Sequence, residues 1–302
     1  MKSSKLWLIY AIATTLAWGI WGALIDITAE AGFPETLGYC VWALTMLIPA
    51  LLALKKIDWK PEYNSRSILL GSAAGFLGAG GQLLLFKTLR IAPAYLVFPF
   101  ISLSPVVTIL LAILIAKEKA KITGWIGIIF ALVAGVFLSY AEGSSGITIG
   151  SWVLFALLIF AAWGIQGFII SYANKTMKAE SIFFYMTLTG IILIPVALIM
   201  TDFSQTINWG FKGPYLAALI QILNAFGALF LVYAFRYGKA IIVSPLTNAG
   251  APVITIIISL ILYKTLPNIV NAIGMVLAII AVLLMSITEE SQEIELKSPE
   301  GS

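Results

Sequence analysis

The chain has 302 residues, of which 61% are hydrophobic and 11% charged, with 18 Lys and Arg against 14 Asp and Glu and no histidine. Soluble domains carry roughly 25% charged residues, so this composition excludes a water-soluble globular fold and points to the bilayer. The missing histidine removes Ser-His-Asp chemistry, His-ligated zinc and histidine proton relays, and a lone cysteine, Cys40, excludes an internal disulfide.

A spanning helix needs about 20 apolar residues. In chain order, apolar runs fall near 6–28, 34–54, 67–89, 91–116, 122–140, 149–173, 180–200, 213–236, 239–263 and 268–287, which predicts an all-α integral membrane protein of ten transmembrane helices. The joins at Arg90 and at Tyr237–Gly238 are short, but each pair of runs is far longer than one bilayer crossing, so the chain must turn there. Ala11-Ile12-Ala13 looks like a cleavage site, yet too few apolar residues precede it for a signal peptide, so the first span is read as retained. With the N-terminus inside, 14 of the 18 basic residues lie on the cytoplasmic side, and only Lys87, Arg90, Lys212 and Lys264 lie outside. The positive-inside rule therefore places both termini in the cytoplasm of a cell-membrane protein. Residues 288–302, rich in Glu and Ser, read as a disordered acidic cytoplasmic tail.

The chain repeats itself at an offset of 145 to 147 residues. Ala17-Trp18-Gly19-Ile20-Trp21-Gly22 matches Ala162-Trp163-Gly164-Ile165-Gln166-Gly167; Arg90 and Pro99 match Arg236 and Pro245; Pro105, Gly127, Ala131 and Ser139 match Pro252, Gly274, Ala278 and Ser286. The halves are 1–143 and 147–287, with five expected helices each. An odd number makes the second half enter from the opposite side, an inverted repeat, and that symmetry suits a carrier that alternates access around a midplane site.

These residues resemble the EamA-type family of the drug/metabolite transporter superfamily. The resemblance rests on the Trp-Gly segments, the small-residue third span, and the stretch with Ala92-Pro93-Ala94, Pro105, Lys117-Glu118 and Gly127. It implies a multi-pass carrier of small metabolites, often an exporter. The position of Glu118 is matched in the second half by Lys264 or Thr265 rather than an acid, a departure from the pattern.

Candidate site residues follow from the mid-span polar groups. Pro99 and Pro105 in the fourth span and Pro245 and Pro252 in the ninth are expected to kink their helices, freeing the carbonyls of Tyr95, Ile101, Ile241 and Asn248. Tyr95, Phe98 and Ser102 share a face, opposite Ser244, Thr247 and Asn248 in the second half. Gln82, Gln166 and Asn224 add amides, with Gln221 on the same face of its span as Asn224, while Trp18, Trp21 and Trp163 lie deep in their spans. For the tryptophans, cavity lining and tight packing both stay open, and Ser or Thr can instead bond back along its own helix. Asp26 is the one carboxylate considered for coupling, and Glu118 is read as structural through local ion pairing and capping.

This pattern predicts a secondary, non-ATP transporter of small metabolites, with an aromatic and amide-lined cavity suited to an amino-acid-like or other neutral or zwitterionic solute. A nucleotide-sugar or other phosphorylated cargo is the alternative within carriers, and a passive channel is the alternative from another class. No enzyme activity, metal, cofactor or nucleic-acid partner is expected; the expected partners are a small-molecule substrate and the lipid bilayer.

Overall fold

The computed structural model describes residues 5–89, 91, 97, 101–138, 151–263 and 267–297. Every described element is helical, as lipid demands of a chain whose backbone groups must bond internally. In order they are α1 (Leu6–Leu24), α2 (Asp26–Glu30), α3 (Glu35–Thr45), α4 (Leu47–Lys56), α5 (Ser65–Leu89), α6 (Pro105–Leu114) and α7 (Ile122–Leu138). The second half supplies α8 (Ser151–Ala173), α9 (Ala179–Ile192), α10 (Ile194–Met200), α11 (Leu216–Tyr237) after a π turn at Phe211–Tyr215, α12 (Ala240–Tyr263) and α13 (Ile269–Lys297).

Among the described residues, seven helical segments are long and apolar enough to cross a bilayer, and three shorter apolar helices, Pro105–Leu114, Ile122–Leu138 and Ile269–Met285, occupy the places of the fourth, fifth and tenth expected spans. The protein is thus a multi-span membrane protein. Its large exposed side chains agree: Leu52, Ile199, Ile261 and Ile269 face outward, and Trp59, Tyr63, Trp209, Phe211 and Tyr215 are exposed close to helix ends, where amphipathic rings meet the headgroups.

Two spans bend at matching places. The α3–α4 segment breaks at Met46 and the α9–α10 segment at Leu193. Pro49 and Pro195 lie just beyond these breaks and remove the N–H groups that would reach Thr45 and Ile191. Regular bonds still bridge both bends, from Ala50 to Met46 and from Ala197 to Leu193, at 3.0 and 3.1 Å.

The fourth span departs from the expected kinked helix. A turn at Leu103–Ser104 interrupts it, and Pro105 opens α6 instead of sitting inside a helix, a position where its missing N–H costs nothing. The Ile101 carbonyl, expected to be orphaned, accepts the Ser104 N–H at 2.9 Å in that turn. Pro245 and Pro252 do lie inside one continuous helix, α12. Tyr95, Phe98, Pro99, Arg90, Ser139, Lys264 and Thr265 lie outside the described residues. At the other end of the chain, α13 continues to Lys297 instead of stopping near Ile287. Glu, Gln, Leu and Lys are good helix formers and no proline intervenes before residue 299, so part of the expected disordered tail is helical; residues 298–302 are outside the description.

Packing follows the repeat. Helix α1 packs on α11 and α12, and its counterpart α8 packs on α5 and α6. The pairs α6–α12 and α7–α13 join matching helices of the two halves, and α4 with α9 is mirrored by α10 with α3. Exchanging the halves returns several of these pairs, since α1 on α11 and α12 becomes α8 on α5 and α6, and α5 on α9 becomes α11 on α3. The largest core cluster joins both halves, including Met46, Ala74, Phe168, Phe183, Val232, Phe235, Leu246 and Met285.

Candidate functional site

Six helices, α1, α5, α6, α8, α11 and α12, bring the expected site residues to the middle of the molecule. On α1, the Trp18 indole N–H donates to the Asn224 carbonyl of α11 at 3.4 Å. One turn on, Gly227 faces the same indole so closely that a Cβ there would overlap Trp18. The second half repeats this seat: the Trp163 N–H of α8 donates to the Gly78 carbonyl of α5 at 3.2 Å, and a Cβ at Gly81 would overlap Trp163. The tryptophans are therefore wedged between helices, with their N–H groups spent on backbone.

A second reciprocal pair fixes the other neighbour. The Thr255 hydroxyl of α12 donates to the Gly19 carbonyl at 3.0 Å, and the Thr108 hydroxyl of α6 donates to the Gly164 carbonyl at 2.7 Å. A Cβ on Gly22 or Gly167 would meet those same hydroxyl oxygens at 2.8 Å. In a membrane interior, small residues allow such backbone approach and the hydroxyl satisfies an accepting carbonyl across the gap.

The polar candidates divide into spent and unspent groups. The Trp21 N–H donates to Gln221 Oε1 at 2.9 Å, and Gln221 is buried. Thr247 is fully buried, and its hydroxyl donates back to Val243 and Ser244 carbonyls at 3.0 and 3.1 Å. The Asn248 amide also turns back, donating to Ser244 at 2.9 Å, as short polar side chains on helices do. Ser244 is buried, and Ser102 is half-buried beside Gly135.

Three amides remain. Gln82, Gln166 and Asn224 are half-buried, and among the described residues no hydrogen bond involves their side chains. Gln166 lies against Gly78, one turn of α5 before Gln82. Each amide can donate two bonds and accept two, so these side chains retain the capacity to hold a polar solute. Asp26 opens α2 close to an end of the first span; its side chain is outside the description. Among the described residues no cluster of acidic or cysteine side chains suits a metal ion.

Sequence reasoning missed a polar seam at the opposite end of the helices from Leu89 and Tyr263. Glu180 in the first turn of α9 is 3.0 Å from the Lys56 ammonium and accepts the Tyr233 hydroxyl at 2.7 Å. Lys56 also sits 4.4 Å over the Tyr233 ring. Arg236 donates to the carbonyls of Asn174 and, at 3.0 Å, Met177. Glu118 accepts the Ile241 N–H at 3.2 Å and lies 3.8 Å from Lys175. A carboxylate at the head of an apolar run, with lysines ending another, was the available signal for the Glu180–Lys56 pair.

A protein of known crystal structure superposes on 96% of this chain and 99% of its own length with a TM-score of 0.72 at 17% identity, a likeness of fold. An uncharacterized protein of Methanocaldococcus jannaschii is 29% identical over 136 residues, 96% of its own length and 45% of this chain, the extent of about one repeat. The EamA-like transporter family matches residues 5–140 and again residues 150–287. The duplicated match covers both halves that carry the reciprocal tryptophan seats, and the chain belongs to the EamA-like transporter family, membrane transporters of the drug/metabolite transporter superfamily.

Proposed function

We propose that this protein is a secondary carrier of small neutral or zwitterionic metabolites, amino-acid-like in carrying both an apolar body and hydrogen-bonding groups. Ten spans in two inverted five-helix repeats, with both termini in the cytoplasm of a cell membrane, would exchange inward-open and outward-open states around the central amides. The observation that carries this reading is the reciprocity of the contacts: Trp18 to Asn224 repeats as Trp163 to Gly78, and Thr255 to Gly19 repeats as Thr108 to Gly164. A pair of halves that pack identically can swap conformations with little loss.

The cargo class follows from the groups left unspent. Gln82, Gln166 and Asn224 offer neutral donors and acceptors beside the indoles of Trp18, Trp21 and Trp163. Phosphorylated cargo would need desolvated cations at depth, whereas Arg236 is already bound to two backbone carbonyls and Lys87 is exposed at a helix end over the Phe155 ring. Counterflow of a panel of radiolabelled amino acids and related solutes in proteoliposomes tests the reading. Saturable exchange of a neutral or zwitterionic solute is expected; flux confined to phosphorylated solutes, or none for any solute, overturns it.

A further inference from the structure

Glu118 joins the two halves in an unusual way. It lies beyond the end of α6 in the first half, yet its Oε2 accepts the N–H of Ile241, in the first turn of α12 in the second half. The first N–H groups of a helix have no partner within it, and a carboxylate there is favoured by the helix dipole. This cap is therefore supplied by the other repeat. Its side chain is 9% exposed, and Lys175, on the connection between α8 and α9, approaches it at 3.8 Å.

The backbone is bent to deliver it. Lys117, directly before Glu118, has φ of 57°, the left-handed region that a branched-off side chain disfavours. Such a conformation persists where surrounding contacts over-determine it, and here the surrounding contact is the cap. Arg236 at the end of α11 binds the carbonyls of Asn174 and Met177, tying α11 to the α8–α9 connection. The ends of α6, α8, α11 and α12 thus converge in one polar closure, above which Ala240, Ile241 and Ile242 are fully buried.

We propose that Glu118 is a gate latch: its cap on α12 holds this end of the carrier shut, and release of the cap opens a path from this side to the central amides. This rests on the alternating-access reading above and names the residue that sets its equilibrium. The matching position in the second half carries Lys264 or Thr265, not a carboxylate. The counterpart position offers no carboxylate for the same cap, and a charge-assisted bond is roughly twice as strong as a neutral one. The state with the Glu118 end closed is the resting state.

The test reads accessibility and needs no substrate, so its failure is distinct from a failure to find cargo. In a Cys40→Ala background, a single cysteine replaces Ala240, and a polar maleimide is added to the protein in nanodiscs, with both faces reachable. Glu118→Gln is expected to speed labelling about tenfold, the order of effect of losing a charged hydrogen bond. Lys117→Gly, which removes the left-handed penalty and keeps the fold, is expected to slow it several-fold. A control cysteine replacing the fully buried Ala156, at the far end of α8, is expected to label equally slowly in all three. The latch is overturned if Glu118→Gln leaves Ala240→Cys labelling unchanged, if Ala156→Cys accelerates equally, or if Lys117→Gly labels as fast as its parent.

Discussion

The middle of the molecule and its Glu118 end are built on opposite plans. At the middle, two kinds of contact have twins: an indole over a glycine and a threonine on a glycine carbonyl, in both halves. At the Glu118 end, Lys56 with Glu180 and Glu118 with Lys175 and Ile241 join the two halves, and Tyr233 and Arg236 add contacts within the second half, without a described twin. Twinned contacts survive an exchange of conformation between halves. In the proposed alternating-access exchange, the untwinned contacts that join the halves are the ones expected to break. The comparison therefore separates what holds the carrier together from what it must undo.

Substitutions can break the comparison. The largest effect is expected from Trp163→Ala and Trp18→Ala, each losing about 3 kcal/mol of stability, the low end of the range for removing a packed aromatic side chain, since both indoles are half-buried. Equal shifts in thermal unfolding of the two variants support twinning; a large loss from one and none from the other breaks it. Glu180→Gln comes next. It removes a carboxylate that serves both Lys56 and Tyr233, and about 2 kcal/mol is expected, within the range for hydrogen bonds to charged groups. Labelling of a cysteine replacing Ala240 should rise in this variant more than its melting temperature falls.

Smaller effects sharpen the picture. Gln166→Ala and Gln82→Ala are expected to raise the half-saturating solute concentration about tenfold, roughly 1.4 kcal/mol, while leaving the melting temperature of the solute-free protein within error. Equilibrium binding measured beside unfolding would place these amides on the fold instead of the cargo if both moved together. The smallest effect is expected from Thr108→Val and Thr255→Val, about 1 kcal/mol each, the net worth of one hydrogen bond. The two should match each other, and the double variant should show the sum, since the sites share no residue.

Much of this architecture is legible in the order of residues, for reasons that apply only in lipid. Apolar runs report span positions because a bilayer leaves the backbone no alternative to the helix. The Trp-Gly segments reveal the repeat because glycine beside tryptophan is a shape requirement at both places. What the sequence does not carry is the partner. Trp18 and Trp163 look equally suited to a cavity or a seam until Asn224, Gly227, Gly78 and Gly81 are known to face them. Ile101 looks orphaned because a proline follows four residues later, but a turn at Leu103–Ser104 recruits the Ser104 N–H. Glu118 sits among lysines at 117, 119 and 121, which suggests local pairing; its described partners are instead Lys175 and the start of α12. Long-range pairing between helix ends leaves no periodic trace. The acidic residues after Ile287 suggest disorder by charge, yet their helix propensity carries α13 on to Lys297.

The reciprocal tryptophan and threonine contacts give the central joint between the halves a self-complementary pattern, in the manner of a two-fold dimer. In a dimer of identical chains one change acts at two places, whereas here each half has its own copy of the joint, and a change at Thr108 leaves its counterpart at Thr255 untouched. Glu118 shows how far the two copies differ, because its counterpart position holds no acid. Fusing two such units into one chain frees each half to drift, and the places where it has drifted are where direction can be written into a symmetric machine.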